Sequence, residues 1–181
     1  MMKFSTRARY GLRMMVELAR ELETNDLVHL KRIARITGLS ENYMAQLAMS
    51  LKNAGLIIGI SGQNGGYHLT RRPDKIKIGQ IVQAVSGAVS LSDCVGNPDI
   101  CMNSGSCEAR LIWVILSGAF SEILNKYTLA DLIDTDRLAG LCREYAHLPL
   151  LHPDNITVEN VDSDIRPCAS PTRDQSKELQ E

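Results

Sequence analysis

Two short helices joined by a four-residue turn, with a glycine-rich hairpin directly behind them, constrain this chain more than any other feature. The stretch runs from His29 to Leu69. Leu30, Ile33 and Ile36 recur at helical spacing, and Gly38 follows as a helix-ending glycine. Ser40 is a good N-cap for a second helix carrying Met44, Leu47 and Leu51 on one face, and Gly55 stops it. This is the helix-turn-helix pattern, whose second helix enters the DNA major groove. Leu56 to Ile60 is an isoleucine-rich run, residues 61–66 are turn chemistry, and Tyr67 to Leu69 return as a second strand. A helix pair followed by such a hairpin predicts a winged helix: mainly α, with a small β-hairpin wing.

Charge agrees with this reading. Residues 1–77 hold 13 Lys and Arg against 6 Asp and Glu, a net +7, whereas residues 78–181 hold 7 against 15, a net −8. A basic half carrying a helix-turn-helix is the footprint of a phosphate-binding surface. The acidic half would be repelled by DNA and suits a dimer contact or a sensor. Aromatics make up 4% of the chain, so aliphatic side chains must fill the core. The longest apolar run, Leu111 to Leu116, is too short to span a membrane. The basic start, MMKFSTRARY, has no continuous apolar stretch, so no secretory signal and a cytoplasmic location are expected.

Several motifs carry a resemblance. The opening Phe4-Ser5-Thr6-Arg7-Ala8-Arg9-Tyr10-Gly11-Leu12, the pattern Leu39-Ser40-x-x-Tyr43-Met44-x-Gln46-Leu47 and the wing Gly62-x-x-Gly65-Gly66-Tyr67 resemble the IscR-like family of bacterial winged-helix transcription regulators. The resemblance spans about Met2 to Ile133. Many members sense iron–sulfur clusters, and the family also includes a nitric-oxide sensor and a repressor of cysteine metabolism.

Thr6 to Leu22 is expected as the first helix, with an apolar stripe of Leu12, Met15, Val16, Ala19 and Leu22. Arg7 and Arg9 project off that stripe as candidate phosphate contacts. In the recognition helix, about Glu41 to Asn53, Ser40, Asn42, Tyr43, Ala45 and Gln46 are left toward DNA. Gln and Asn can bond an adenine edge bidentately, and Ser can serve a base or a phosphate. The resemblance implies base reading by Ser40, Asn42 and Gln46, with Ser61, Gln63 and Asn64 at the wing. Relatives carry Glu where Ala45 stands and Arg where Ser61 stands, which implies a different operator here. A two-fold dimer presents two such helices, so the expected partner is a pseudo-palindromic double-stranded operator.

Beyond the wing, Pro73 marks a boundary, and Ile78, Ile81, Val82 and Val85 form a helix ended by Gly87. Residues 90–107 are rich in Gly, Pro, Asn and Ser and are expected as a loop. Their three cysteines, Cys94, Cys101 and Cys107, are spaced C-x6-C-x5-C. Thiolate groups of this kind suit iron–sulfur chemistry. The family places its cluster cysteines at this point, so the resemblance implies a cluster, [2Fe–2S] or [4Fe–4S]. Relatives have a His three residues after the third cysteine. Arg110 stands there and cannot ligate. Glu108, Asp93, an exogenous group or a residue of a second subunit remain for the fourth position. Cys142 and Cys168 lie outside the group and are read as bystanders.

The helix from about Cys107 to Lys126 is apolar on more than one face, so it must be covered on two sides, one of them by a second subunit. Thr128 caps a short helix with Leu129, Leu132 and Ile133. Periodicity fades from Asp134, and the composition from His152 to Glu181 predicts disorder. The expected organisation is a winged helix-turn-helix over 1–88, a cysteine loop and dimerisation helix over 89–135, and a largely disordered tail over 136–181. The function expected is a dimeric, DNA-binding transcription regulator sensing iron–sulfur cluster or redox status through the three-cysteine loop. The alternative is a regulator of the same fold without a cluster, controlled by a protein partner or by thiol oxidation. A redox enzyme is disfavoured: there is no nucleotide-binding loop, no nucleophile–base pair and no Cys-x-x-Cys.

Overall fold

The computed structural model describes residues 5–21, 27–62 and 65–145. In chain order the elements are α1 (Thr6–Arg20), α2 (Leu30–Thr37), α3 (Glu41–Asn53), β1 (Ile57–Ile60), β2 (Gly66–Leu69), α4 (Ile78–Ser86), α5 (Asp93–Gly96), α6 (Glu108–Lys126), α7 (Leu129–Ile133) and α8 (Thr135–Glu144). Single 3-10 turns lie at Pro73–Lys75 and Pro98–Ile100. The architecture is a winged helix-turn-helix with a long helix attached.

Local chemistry sets the boundaries where expected. Gly38 ends α2 in the left-handed conformation, at a φ of 69° that costs a glycine little. Ser40 then caps α3, its hydroxyl accepting from the Tyr43 amide at 3.3 Å. β1 and β2 pair antiparallel in the register Ile57 to Leu69 and Ile60 to Gly66. Gly59 lies under the Tyr67 ring, where a Cβ would stand 3.0 Å from Cε1.

The core is aliphatic and sulfur-rich. Met14, Met15, Leu18, Ile33, Met44, Leu47, Leu51, Leu56, Ile57, Ile76, Ile81 and Leu129 are fully buried. The stripe expected on α1 is corrected by this list. Met14 and Leu18 are buried, while Leu12 and Val16 are only half-buried and Leu22 lies outside the described residues. The reason is that α1 is central. It packs against α3 and β2 as well as α4 and α7, so its buried face is broader than one stripe and rotated from the one expected. Gly11 faces α4 so closely that a Cβ would come 2.9 Å from Val85 Cγ1.

Two further stretches depart from expectation. Residues 90–107 contain a helical turn, α5, and a 3-10 turn rather than loop throughout. The segment expected as tail from residue 136 begins inside α8, capped by Asp134, which accepts from the Arg137 amide at 2.9 Å. Leu138, Leu141, Cys142 and Tyr145 recur there at helical spacing and are half-buried, and α8 packs on α7. Tyr127 donates to the Tyr145 hydroxyl at 2.7 Å, and that bond, with burial, pushes the Tyr127 phenol up to about 12. Residues 146–181, including most of the expected tail, lie outside the described residues.

The chain leaves the winged helix through α4 and comes back to it after α6. The Ile78 amide donates to Tyr127 O at 3.0 Å, and the Leu129 amide donates to Ile76 O at 2.8 Å. Thr128 and Asp131 form a reciprocal capping box that starts α7 at this junction. Between these points α6 exposes most of its apolar surface: Leu111 is 62% exposed, Ile115 55% and Ile123 49%, and Ser117 is its one buried residue.

Candidate nucleic-acid interface and cysteine loop

Burial of Met44, Leu47, Ala48 and Leu51 decides which side of α3 is presented to solvent. Asn42, Ala45, Gln46 and Met49 are exposed on the opposite side. Asn42 and Gln46, one turn apart, are therefore exposed together on one side of the helix. Ser40 is exposed at the N-terminus of α3, with its oxygen engaged in the cap. Tyr43 is half-buried and meets Tyr10 edge to face, ring centroids 6.3 Å apart. The Arg9 guanidinium lies over the Tyr10 ring, 5.4 Å from its centroid. Arg9, Tyr10 and Tyr43 thus form one row joining the start of α1 to the start of α3. Ser61 is exposed just beyond β1. Gln63 and Asn64 lie outside the described residues.

Arg7 departs from its expected role. It is half-buried; its Nε donates to Val85 O at 2.8 Å and its Nη2 to Ser50 Oγ at 3.2 Å. It fastens α1 to both α4 and α3. The physical reason is the rotated stripe: Arg7 lies one turn before Gly11, the residue that faces Val85, and so points inward where a different stripe would have sent it out.

Two cations on α2 went unremarked in the sequence. Lys31 and Arg35 are exposed, four residues apart, and have no ion-pair partner among the described residues, whereas neighbouring Arg32 pairs with Glu21. Their spacing on a helix preceding a recognition helix was the available signal.

The cysteine loop is tied to α6 at two points. The Leu91 amide donates to Ser117 Oγ at 3.1 Å, and Arg110 Nε donates to Cys94 O at 2.9 Å. Cys94 is half-buried with its sulfur 3.2 Å from Ser92 Oγ, Cys101 is exposed, and Cys107 is half-buried at the N-cap of α6. Asp93 and Glu108 are exposed. The donor chemistry suits an iron–sulfur group, but the arrangement does not form its ligand shell: among the described residues no three Cys, His, Asp or Glu side chains are gathered to hold a metal ion. Arg110 occupies its place as a brace on the loop backbone. Cys142 is half-buried on α8, and Cys168 lies outside the described residues.

These placements separate two arginines that look alike in the sequence. Arg7→Ala should lower stability by about 1–3 kcal/mol, since it removes charged hydrogen bonds and leaves Val85 O unpaired. Arg9→Ala should change it by less than about 0.5 kcal/mol. Urea midpoints of the two variants check this, and equal midpoints would refute the bracing role of Arg7.

The comparisons with known proteins agree with the fold. The Rrf2 family model, described as an iron-dependent transcriptional regulator, matches residues 4–135. The HTH-type transcriptional regulator CymR of Bacillus subtilis is 38% identical over 131 residues, 72% of this chain and 89% of that protein. The HTH-type transcriptional regulator IscR of Vibrio campbellii is 33% identical over 152 residues, 83% of this chain and 89% of that protein. The solved structure of B. subtilis CymR, described as the global cysteine regulator, aligns with a TM-score of 0.58 at 37% identity, covering 74% of this chain and 97% of that one.

Proposed function

Because the chain belongs to the Rrf2 family of transcriptional regulators, we propose that it is a homodimeric repressor or activator whose α3 reads a pseudo-palindromic operator and whose Cys94–Cys107 loop reports iron–sulfur or thiol status. The family regulates transcription and is not a family of enzymes. Among the described residues no helix is long and apolar enough to cross a membrane. The cytoplasm, where such a regulator meets bacterial DNA, is the proposed location.

The observation that carries the reading is the outward pairing of Asn42 and Gln46 on α3 within a half of the chain whose net charge is +7. In this reading Ser40, Asn42 and Gln46 contact bases, while Arg9, Tyr43, Lys31 and Arg35 contact phosphates. Ser61, Gln63 and Asn64 supply the wing contacts. A bidentate amide–adenine pair is worth about 1–3 kcal/mol of discrimination. Gln46→Ala should therefore flatten base preference at one position of each half-site. Affinities for a set of single-base operator variants test it, and an unchanged ranking would refute the assignment.

Dimerisation follows from α6. A monomer would leave Leu111, Ile115 and Ile123 in water along one helix, a patch that soluble monomers rarely carry. The wild type should sediment as a dimer at micromolar concentration, and Ile115→Glu should sediment as a monomer with weakened DNA binding. A monomeric wild type would sink this proposal.

For the loop, Cys94, Cys101 and Cys107 are the residues that would hold a cluster, whose bound form would supply an oxidation-sensitive group between the winged helix and α6. The similarity to IscR supports this reading. A second reading, thiol chemistry without a cluster, is favoured by the ungathered sulfurs and by the similarity to CymR. Anaerobic reconstitution separates them. Uptake of iron and acid-labile sulfide by the wild type, lost in each single Cys→Ser variant, establishes the cluster. Absence of uptake leaves the thiol reading. With a cluster, operator affinity should differ between loaded and apo protein by about 1–3 kcal/mol.

A further inference from the structure

One residue on α3 is not explained by folding or by amide readout. Of the methionines in α1 and α3, Met14, Met15 and Met44 are completely buried, whereas Met49 is 60% exposed. It sits on the outward side of the helix, three residues after Gln46 and four after Ala45, which is also exposed. Residues at these spacings are neighbours on a helix surface. The face opposite the core thus has two parts, a polar pair, Asn42 and Gln46, and an apolar pair, Ala45 and Met49.

A single apolar side chain in water is common on protein surfaces; what singles out Met49 is its place on the solvent face of α3 beside Ala45 and Gln46. The surroundings restrict what it can meet. Met49 is continuous with the amides that face the bases, and this half of the chain carries a net +7, which suits a polyanion. In the major groove, one base-pair edge offers an apolar group, the C5-methyl of thymine. The unbranched thioether of methionine adapts its shape to such a partner. On ideal helix geometry Met49 lies about 4.5 Å further along the helix axis than Gln46, longer than the rise of about 3.4 Å per base pair and shorter than two of them.

We propose that Met49, with the Ala45 methyl beside it, reads thymine C5-methyl groups, so that each operator half-site carries thymine next to the base contacted by Gln46. This rests on the reading of α3 as the recognition helix and adds the chemistry of a second kind of contact on it.

The test removes the methyl group alone. Duplexes are first selected from a random library with the full-length protein. In the enriched duplex, each thymine is then replaced singly by deoxyuridine, which keeps every hydrogen-bonding group. One or two thymines per half-site should prove sensitive, with wild-type affinity falling about three- to fivefold at each, the value of one buried methyl-sized group. Met49→Ala should bind the thymine duplex more weakly by a similar factor and be indifferent to the same replacements. Met49→Leu should keep the sensitivity. Unchanged urea midpoints in both variants establish that folding is intact. Wild-type binding indifferent to every replacement, or Met49→Ala as sensitive as the wild type, overturns the proposal while leaving sequence-specific binding standing. Failure to enrich any duplex overturns the operator reading and this proposal with it.

Discussion

Burial of one face of α3 is the constraint on which the rest depends. Met44, Leu47 and Leu51 have no exposed surface, and fixing them leaves α3 no rotational freedom. Each such side chain contributes about 1.5–3 kcal/mol by burial, so turning the helix by one position would forfeit several of these at once. The outward residues are therefore set by the core and not by any partner. A recognition surface built this way is rigid before anything binds, and binding pays little entropy to order it. Arg7 adds to the rigidity from the other side, joining α1, α3 and α4 by hydrogen bonds from a single guanidinium.

What could be read from the residues alone follows the strength of local signals. Gly38, Ser40 and Gly55 punctuate the helix pair, and the structure has helix ends at all three. The wing was legible for the same reason, since a run of isoleucines followed by glycines leaves a hairpin few alternatives. Helix α1 was legible as a helix but not in its orientation. Its sequence is apolar at so many positions that several stripes fit, and only tertiary packing on α2, α3, β2, α4 and α7 chooses among them. Arg7 was misplaced as a direct result. Helix α8 was legible from its Asp134 cap and from Leu138, Leu141, Cys142 and Tyr145 at helical spacing, but it is short and only half-buried, and the polar composition that follows it masks the pattern.

The cysteine loop shows a different limit. Spacing and composition reveal which atoms could act as ligands; they say nothing of where those atoms stand. Cys94 is held by its neighbours Ser92 and Arg110, Cys107 is fixed by the start of α6, and Cys101 is exposed between them. Two of the three cysteines are thus attached to regular structure, Cys94 within α5 and Cys107 at the start of α6. Arg110 marks the difference between a side chain that binds a metal and one that binds backbone. The same position supplies order to the loop by a hydrogen bond instead of a coordinate bond.

The backbone bonds at Ile76, Ile78, Tyr127 and Leu129 close a ring. Residues beyond α4, through α5 and α6, are an excursion that leaves the winged helix behind α4 and rejoins it at this neck. Because the entropy of closing such an excursion grows only with the logarithm of its length, residues can be added to or removed from its distal part at a cost of a few tenths of a kcal/mol. The DNA-binding half meets it at this neck and along α4, on which α6 packs. A lineage can therefore change the residues at the far end of the excursion, cysteines included, without refolding the helix-turn-helix.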